Sequence, residues 1–200
     1  MNDIIKFFLK NRGYARMKEL KQAGFHPRKI KQALEQGKIE KIKPGLYRLS
    51  DMYGIGEFSQ SFIDVCTSMQ KGIICLISAL EFHQLSTINP SEVYVALPNS
   101  DKQNSIKYPP VKVFYFRKRF YELGIELKIT KAGTFKIYNA EKTICDMFRY
   151  RNKLGEDLTL EGLKNYLKRK DANLVKLREY AIKCQVKTVM LPYLKAMVIE

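Results

Sequence analysis

The chain of 200 residues holds 36 Lys and Arg against 20 Asp and Glu, a net charge of +16, with 46% hydrophobic residues. That apolar share can bury a core in one domain, or in a small domain joined to a larger one, and it excludes a disordered polyelectrolyte. Residues 1–50 carry +9 of the charge, about four times the density of the remainder, so a polyanionic partner is expected there first.

The first helix is predicted from Ile4 to Lys10, where Ile4, Ile5, Phe8 and Leu9 recur at helical spacing before Asn11-Arg12-Gly13. A second, over Arg16 to Ala23, turns Met17 and Leu20 inward and stops at Gly24, a residue suited to a left-handed cap. The third starts at Pro27 and runs to Gln36 with Ile30, Ala33 and Leu34 on one face, and Gly37 ends it. Two short alternating stretches follow, joined around Pro44-Gly45, with Ile39, Ile42, Leu46 and Leu49 able to point at the helices. Three helices and a two-stranded ribbon in this order predict a winged helix-turn-helix domain over residues 1–50.

In that architecture the third helix enters the major groove of double-stranded DNA. Outside its core face stand Arg28, Lys29, Lys31, Gln32 and Glu35. Arg28 and Gln32 are one turn apart and suit guanine and adenine edges. Lys29 and Lys31 flank them as phosphate contacts, as do Arg16 and Lys18 of the second helix and Lys41, Lys43 and Arg48 of the wing. A solvated basic face or a protein-binding face is the competing explanation of the same charges.

Residues 51–57, with two glycines, are expected to be a linker, and 58–200 a larger mixed α/β domain ending in a helical segment, so the whole is α+β. A helix is predicted over Phe58 to Lys71, and the apolar run from Ile73 reads as one buried helix by its length. Strands are predicted at 92–98, 111–116, 125–130 and 134–138, forming a mixed or antiparallel sheet with one covered face. Helices follow at 140–150, 159–169, 173–184 and 187–198. Lys164, Lys168, Arg169, Lys170, Lys176 and Arg178 crowd this region as a second basic surface, which would require one duplex touching both surfaces to bend.

Signals for chemistry are sparse. His26 and His83 are the two histidines, and each is placed for capping or packing. Cysteines 66, 75, 145 and 184 contain no C-x-x-C pair and read as reduced thiols, so no zinc site is expected. No H-E-x-x-H, G-x-S-x-G or phosphate-loop motif is found, and no cofactor is called for. Glu126 and Lys128 on a predicted strand are the one enzyme lead, as the centre of a metal-dependent nuclease, although alternating strand polarity explains them as well. Glu156-Asp157 reads as a solvated pair before a helix. In Y-N-A-E-K-T-I-C-D-M-F-R-Y-R, 138–151, Asn139 caps a helix whose core face is Ile144, Met147 and Phe148, with Glu141, Lys142, Asp146, Arg149 and Arg151 around it, Asp146 pairing with Arg149. No run of 18 apolar residues exists, and the opening M-N-D-I-I-K-F-F-L-K lacks a signal-peptide core, so a cytoplasmic protein without membrane attachment is expected.

The wing K-P-G-L-Y-R, the segment I-C-L-I-S-A-L-E-F-H-Q-L-S, the strand E-V-Y-V-A-L-P and the segment I-Y-N-A-E-K-T-I-C-D-M-F-R-Y-R, in this order, resemble the AbiEi family, antitoxin components of bacterial abortive-infection systems. The resemblance implies a winged-helix domain that represses its own operon and a C-terminal domain involved in antitoxicity; the mode of binding expected is two copies on inverted repeats in the promoter. It implies a nucleotidyltransferase-like cognate toxin in a type IV pair, countered without a stable complex. It also places Glu141, Thr143 and Asp146 in a family signature, and Pro44, Gly45, Tyr47 and Arg48 in the wing. A nucleic-acid-processing enzyme centred on Glu126 and Lys128, and a module that restrains a toxin by direct contact, are the alternatives.

Overall fold

Glycine and proline punctuate the first fifty residues, and in the computed structural model, which describes residues 3–50, 57–101, 106, 108–130 and 133–198, the helices stop where that punctuation falls. Helix α1 spans Asp3–Lys10, α2 Met17–Gln22 and α3 Pro27–Glu35. Beyond α2, Gly24 takes φ +82°, the Phe25 N–H reaches the Leu20 carbonyl at 3.0 Å and the Gly24 N–H reaches that of Lys21 at 3.0 Å. Gly37 (φ +64°) ends α3 by the same pair of bonds, Lys38 to Ala33 and Gly37 to Leu34, both 3.0 Å. Each helix therefore closes in a left-handed cap that satisfies carbonyls otherwise left without partners. His26 caps the start of α3 by accepting the Arg28 N–H on Nδ1 at 3.3 Å, with Pro27 in the first turn.

One element here escaped the sequence reading. Strand β1, Tyr14–Arg16, lies between α1 and α2 and pairs antiparallel with β3, Leu46–Leu49, which also pairs with β2, Ile39–Lys43. The sheet order is β1-β3-β2. Ile39, Ile42, Leu46 and Leu49 are all buried although the members of each pair stand three residues apart, and the register of β2 against β3 shifts between Lys41 and Lys43; Ile39 and Leu49 join Ile4, Phe8, Leu20 and Ile30 in one core.

The chain divides into two compact units. The first takes the described residues of Met1–Gln70, Gln103–Val111 and Ile129–Phe135, and so includes helix α4, Glu57–Ser68. This helix was expected to open the second domain; it groups with the N-terminal elements, to which the Tyr14 and Arg48 bonds to Asp64 and the Lys43 bond to the Ser68 carbonyl tie it. The expected linker, 51–57, lies outside the described residues except for Glu57.

A mixed five-stranded sheet has the order β6-β5-β4-β8-β7, comprising β4 Ile73–Ile74, β5 Val93–Pro98, β6 Val111–Phe116, β7 Ile125–Thr130 and β8 Gly133–Tyr138, and the second unit holds all of it except Val111, Ile129, Thr130 and residues 133–135. Strand β4 pairs antiparallel with β5 and parallel with β8. The apolar run from Ile73 is therefore not one helix. The Cys75 N–H continues the sheet by bonding the Tyr94 carbonyl at 3.0 Å, and only then does α5, Leu76–Phe82, begin, with the Ser78 hydroxyl oxygen accepting the Tyr94 N–H at 2.9 Å. The short α6, Lys118–Tyr121, follows β6, and α7 Ala140–Leu154, α8 Glu156–Leu167, α9 Leu174–Lys183 and α10 Lys187–Val198 complete the unit. Glu156 and Asp157 form the first turn of α8, where the helix dipole favours acids. Among the described residues no helix is long and apolar enough to cross a membrane.

Gly124 precedes β7 with φ +73°, and a Cβ there would stand 2.7 Å from Lys142 Cβ. Gly124→Ala is expected to lower stability by about 3 kcal/mol, whereas Gly37→Ala, equally left-handed but in open space, should cost about 1 kcal/mol; urea titrations followed by circular dichroism check both. On α5, burial pushes the Glu81 carboxyl up to about 7 from its ordinary 4.5. A folded-state value above the unfolded one gives stability that is full at low pH and lost as pH rises through 7. Thermal melts of Glu81→Gln should thus lie above those of the native chain at pH 8 and coincide with them at pH 4.

Candidate nucleic-acid interface

On α3 the core side is Ile30 and Ala33, which leaves Arg28, Lys29, Lys31 and Gln32 exposed. At 100° per residue Arg28 and Gln32 share the centre of the outward face, and Lys29 and Lys31 flank it. Lys29 and Gln32 also rim a hollow of about 70 Å³ with Phe25 and Ala33. Lys31 lies 3.7 Å from Glu35, an exposed i,i+4 pair that is worth little and can open for a phosphate. Lys18 on α2 is exposed and Arg16 half-buried, where the Arg16 N–H donates to Glu19 Oε2 at 2.6 Å and fixes the start of α2. The turn at Gly45 (φ +78°) is tied to the same point, since its carbonyl accepts the Met17 N–H at 2.8 Å.

The expected wing cations divide. Lys41 is exposed. Lys43 turns inward: its ammonium donates to the Ser68 carbonyl of α4, and burial, with Arg16 nearby, pulls its pKa down. Arg48 is spent inside the unit. Its side chain is 12% exposed, and its guanidinium bridges Asp64 of α4 and Glu40 of β2, the latter at 2.6 Å. The sequence reading sent Lys43 and Arg48 to phosphate, whereas here each donates to acceptors within the unit, the Ser68 carbonyl for Lys43 and Asp64 with Glu40 for Arg48.

Asp64 is the residue that sequence reasoning missed. It is 1% exposed, accepts the Tyr14 hydroxyl on Oδ1 at 2.6 Å and Arg48 on Oδ2, and Gln60 Nε2 donates to the same Tyr14 oxygen at 2.6 Å. Burial pushes its carboxyl up, and the Tyr14, Arg48 and Gln60 donors pull the other way. Tyr14 is pushed up by burial first and by the Asp64 charge second. The signal was present in the sequence as an acid inside the apolar stretch Phe62-Ile63-Asp64-Val65.

In the second unit Glu141, Thr143 and Asp146 of α7 are engaged within the fold. Glu141 accepts the Tyr166 hydroxyl at 3.0 Å and pairs with Lys176 at 3.1 Å, and the Thr143 hydroxyl donates to the Asn139 carbonyl at 2.8 Å. Asp146 pairs with Lys142, both fully buried, and not with Arg149 as the sequence suggested. The Lys142 ammonium also sits 4.3 Å from the Tyr138 ring centre, and Arg149 stacks on Phe120 at 3.4 Å. Asn139 caps the helix as expected, accepting the Lys142 N–H at 2.9 Å. His83 packs with Nε2 2.7 Å from the Tyr138 carbonyl. Of the second basic surface, Lys176 is held by Glu141 and Arg169 by Asp171, while Lys164, Lys168, Lys170 and Arg178 are exposed. Glu126 and Lys128 pair with each other at 2.7 Å on the edge strand β7, and among the described residues no three His, Cys, Asp or Glu side chains converge on a point that could hold a metal.

Residues 2–50, the segment that carries the exposed α3 face, match the family model described as transcriptional regulator, AbiEi antitoxin. The AbiEi resemblance is borne out over that stretch. No curated protein matches the chain. The matched segment holds the α3 cations, the β1-β3-β2 sheet and Arg48, and Asp64 lies outside it.

Because Arg48 neutralises a buried carboxylate, Arg48→Met in this AbiEi-like segment should cost about 3–5 kcal/mol of stability, the penalty of an unpaired buried charge. Lys41→Ala should stay within about 0.5 kcal/mol, as an exposed substitution does. Urea unfolding of the two variants side by side measures the difference.

Proposed function

We propose that the chain is a sequence-specific transcriptional repressor that binds double-stranded DNA through a winged helix-turn-helix, regulates its own operon and serves as the antitoxin of a type IV abortive-infection pair. The observation that carries this reading is the exposed basic face of α3, Arg28, Lys29, Lys31 and Gln32 with Glu35 as its one acid, inside the segment that matches AbiEi regulators. The order α1-β1-α2-α3-β2-β3 with sheet order β1-β3-β2 supports the winged-helix assignment.

Helix α3 enters the major groove with Arg28 directed at guanine and Gln32 at adenine, while Lys29, Lys31, Arg16, Lys18 and Lys41 meet phosphates. Lys43 and Arg48 contribute by bracing the wing from within. Two copies on an inverted repeat in the promoter match the two-fold logic of such readers. The cognate toxin is countered without a stable complex, no cofactor takes part, and the chain acts in the cytoplasm as a non-enzymatic protein.

Mobility shifts over a salt series, with the chain's own promoter and random duplex compared, test the reading. The own promoter should bind more tightly, with log Kd changing steeply with log salt. Arg28→Ala should erase much of the preference, about 1–3 kcal/mol at its base pair, while Lys41→Ala should weaken both DNAs alike and lower the salt slope by about one. Equal binding of the two DNAs by the native chain would sink the proposal.

A further inference from the structure

Helices α9 and α10 of the second unit leave an apolar groove of about 580 Å³ between them. Leu177, Ala181 and Met190 form its buried floor, and Leu174 and Leu191 stand exposed at its lips. Arg178, Lys187 and Lys195 are the charged side chains of the lining, and all three are cations. The apolar surface continues past the α9 lip, where Val175 is 81% exposed and Ile182 53%, two turns apart on one face. Aliphatic surface left in water to this extent, rimmed by charge, marks a place where another molecule binds.

We infer that this groove docks an acidic amphipathic helix of a partner protein. A helix laid in a groove anchors apolar residues at i, i+3 or i+4 and i+7, which the leucine, alanine and methionine floor accepts, and its flanking carboxylates meet Arg178, Lys187 and Lys195. A second copy of the chain would bring the same three cations against these, so the rim opposes self-association. Duplex DNA would satisfy the cations while leaving the floor empty and the leucine lips against phosphate. The inference concerns a face on α9 and α10 and does not depend on the DNA-binding reading of α3.

The probe is a synthetic peptide of about 18 residues, long enough to form a helix on binding, with leucines at helical-anchor spacing, one tryptophan among them and glutamates on the remaining positions. The chain contains no tryptophan, so emission reports the peptide alone. Titration of the full chain should give a saturable blue shift. Arg178→Glu/Lys187→Glu/Lys195→Glu and, separately, Leu191→Asp should each weaken binding tenfold or more with circular dichroism and melting unchanged. Reversal of exposed charges elsewhere, Lys164→Glu/Lys168→Glu/Lys170→Glu, should leave it within twofold. Equal loss in that control set would show attraction to net charge alone and overturn the inference. So would unchanged affinity in the groove variants, equal binding of a peptide with lysine in place of glutamate, or no peptide binding together with groove-dependent sedimentation on phosphatidylglycerol vesicles.

Discussion

The carboxylate of Asp64 joins three strands and a helix of the first unit. It sits on α4 and receives Tyr14 from β1 and Arg48 from β3, and Arg48 in turn holds Glu40 on β2. A charge this deeply buried is tolerated only when donors surround it, and removal of one leaves the carboxylate short of a donor where water does not reach it. The β1-β3-β2 sheet is thus set in place by a polar cluster as well as by Ile39, Ile42 and Leu46 beneath it. Lys43, which donates to the Ser68 carbonyl, adds a second tie from β2 to α4.

That constraint sorts the basic residues by task. Cations facing inward have acids or carbonyls within reach and are desolvated, which is why Lys43 loses basicity and Arg48 is held by two carboxylates. Cations facing outward, on α3, α2 and at Lys41, have water and at most an exposed glutamate as partners. Only the second group can exchange its counterions for a polyanion, the step that drives electrostatic association with nucleic acid. Charge counting over residues 1–50 could not make this distinction. It credits Arg48 and Lys31 alike, though one is 12% exposed and the other stands in solvent.

What the sequence disclosed follows the range of the forces involved. Helices α1 to α3 were legible because their ends are written locally, in Pro27, Gly24 and Gly37, and the wing because two short stretches holding Ile39, Ile42, Leu46 and Leu49 flank the turn at Pro44-Gly45. Strand β1 was not, since three residues carry no periodicity and Tyr14–Arg16 becomes a strand only by pairing with residues 46–48, thirty positions away. The break at Cys75 was hidden for a similar reason: I-I-C-L-I-S-A-L is apolar throughout, and only the bonds to Tyr94 separate the strand from the helix. At the candidate site, Arg28, Lys29, Lys31 and Gln32 came directly from the helical wheel. The bracing role of Arg48 depended on Asp64, sixteen residues later and on another element.

The same reasoning explains why α7 misled a pattern-based reading. Its charges seemed destined for solvent because charge in a helix ordinarily is, yet Lys142 and Asp146 lie one turn apart and are fully buried. Their burial is possible because the surroundings are aromatic. The Phe116 and Tyr138 rings stack nearly parallel at 5.9 Å, Lys142 rests against both, and Arg149 sits over the Phe120 ring. Ring faces supply a negative potential that water would otherwise provide, which lowers the penalty of taking a cation inside. Desolvation still dominates at Asp146, whose carboxyl is pushed up even with Lys142 beside it. A pair held on these terms is sensitive to everything packed around it, and Gly124 is part of that packing, since any side chain there would press on Lys142. The polar groups of this helix are engaged within the core: Glu141 with Tyr166 and Lys176, Thr143 with a backbone carbonyl and Asp146 with Lys142.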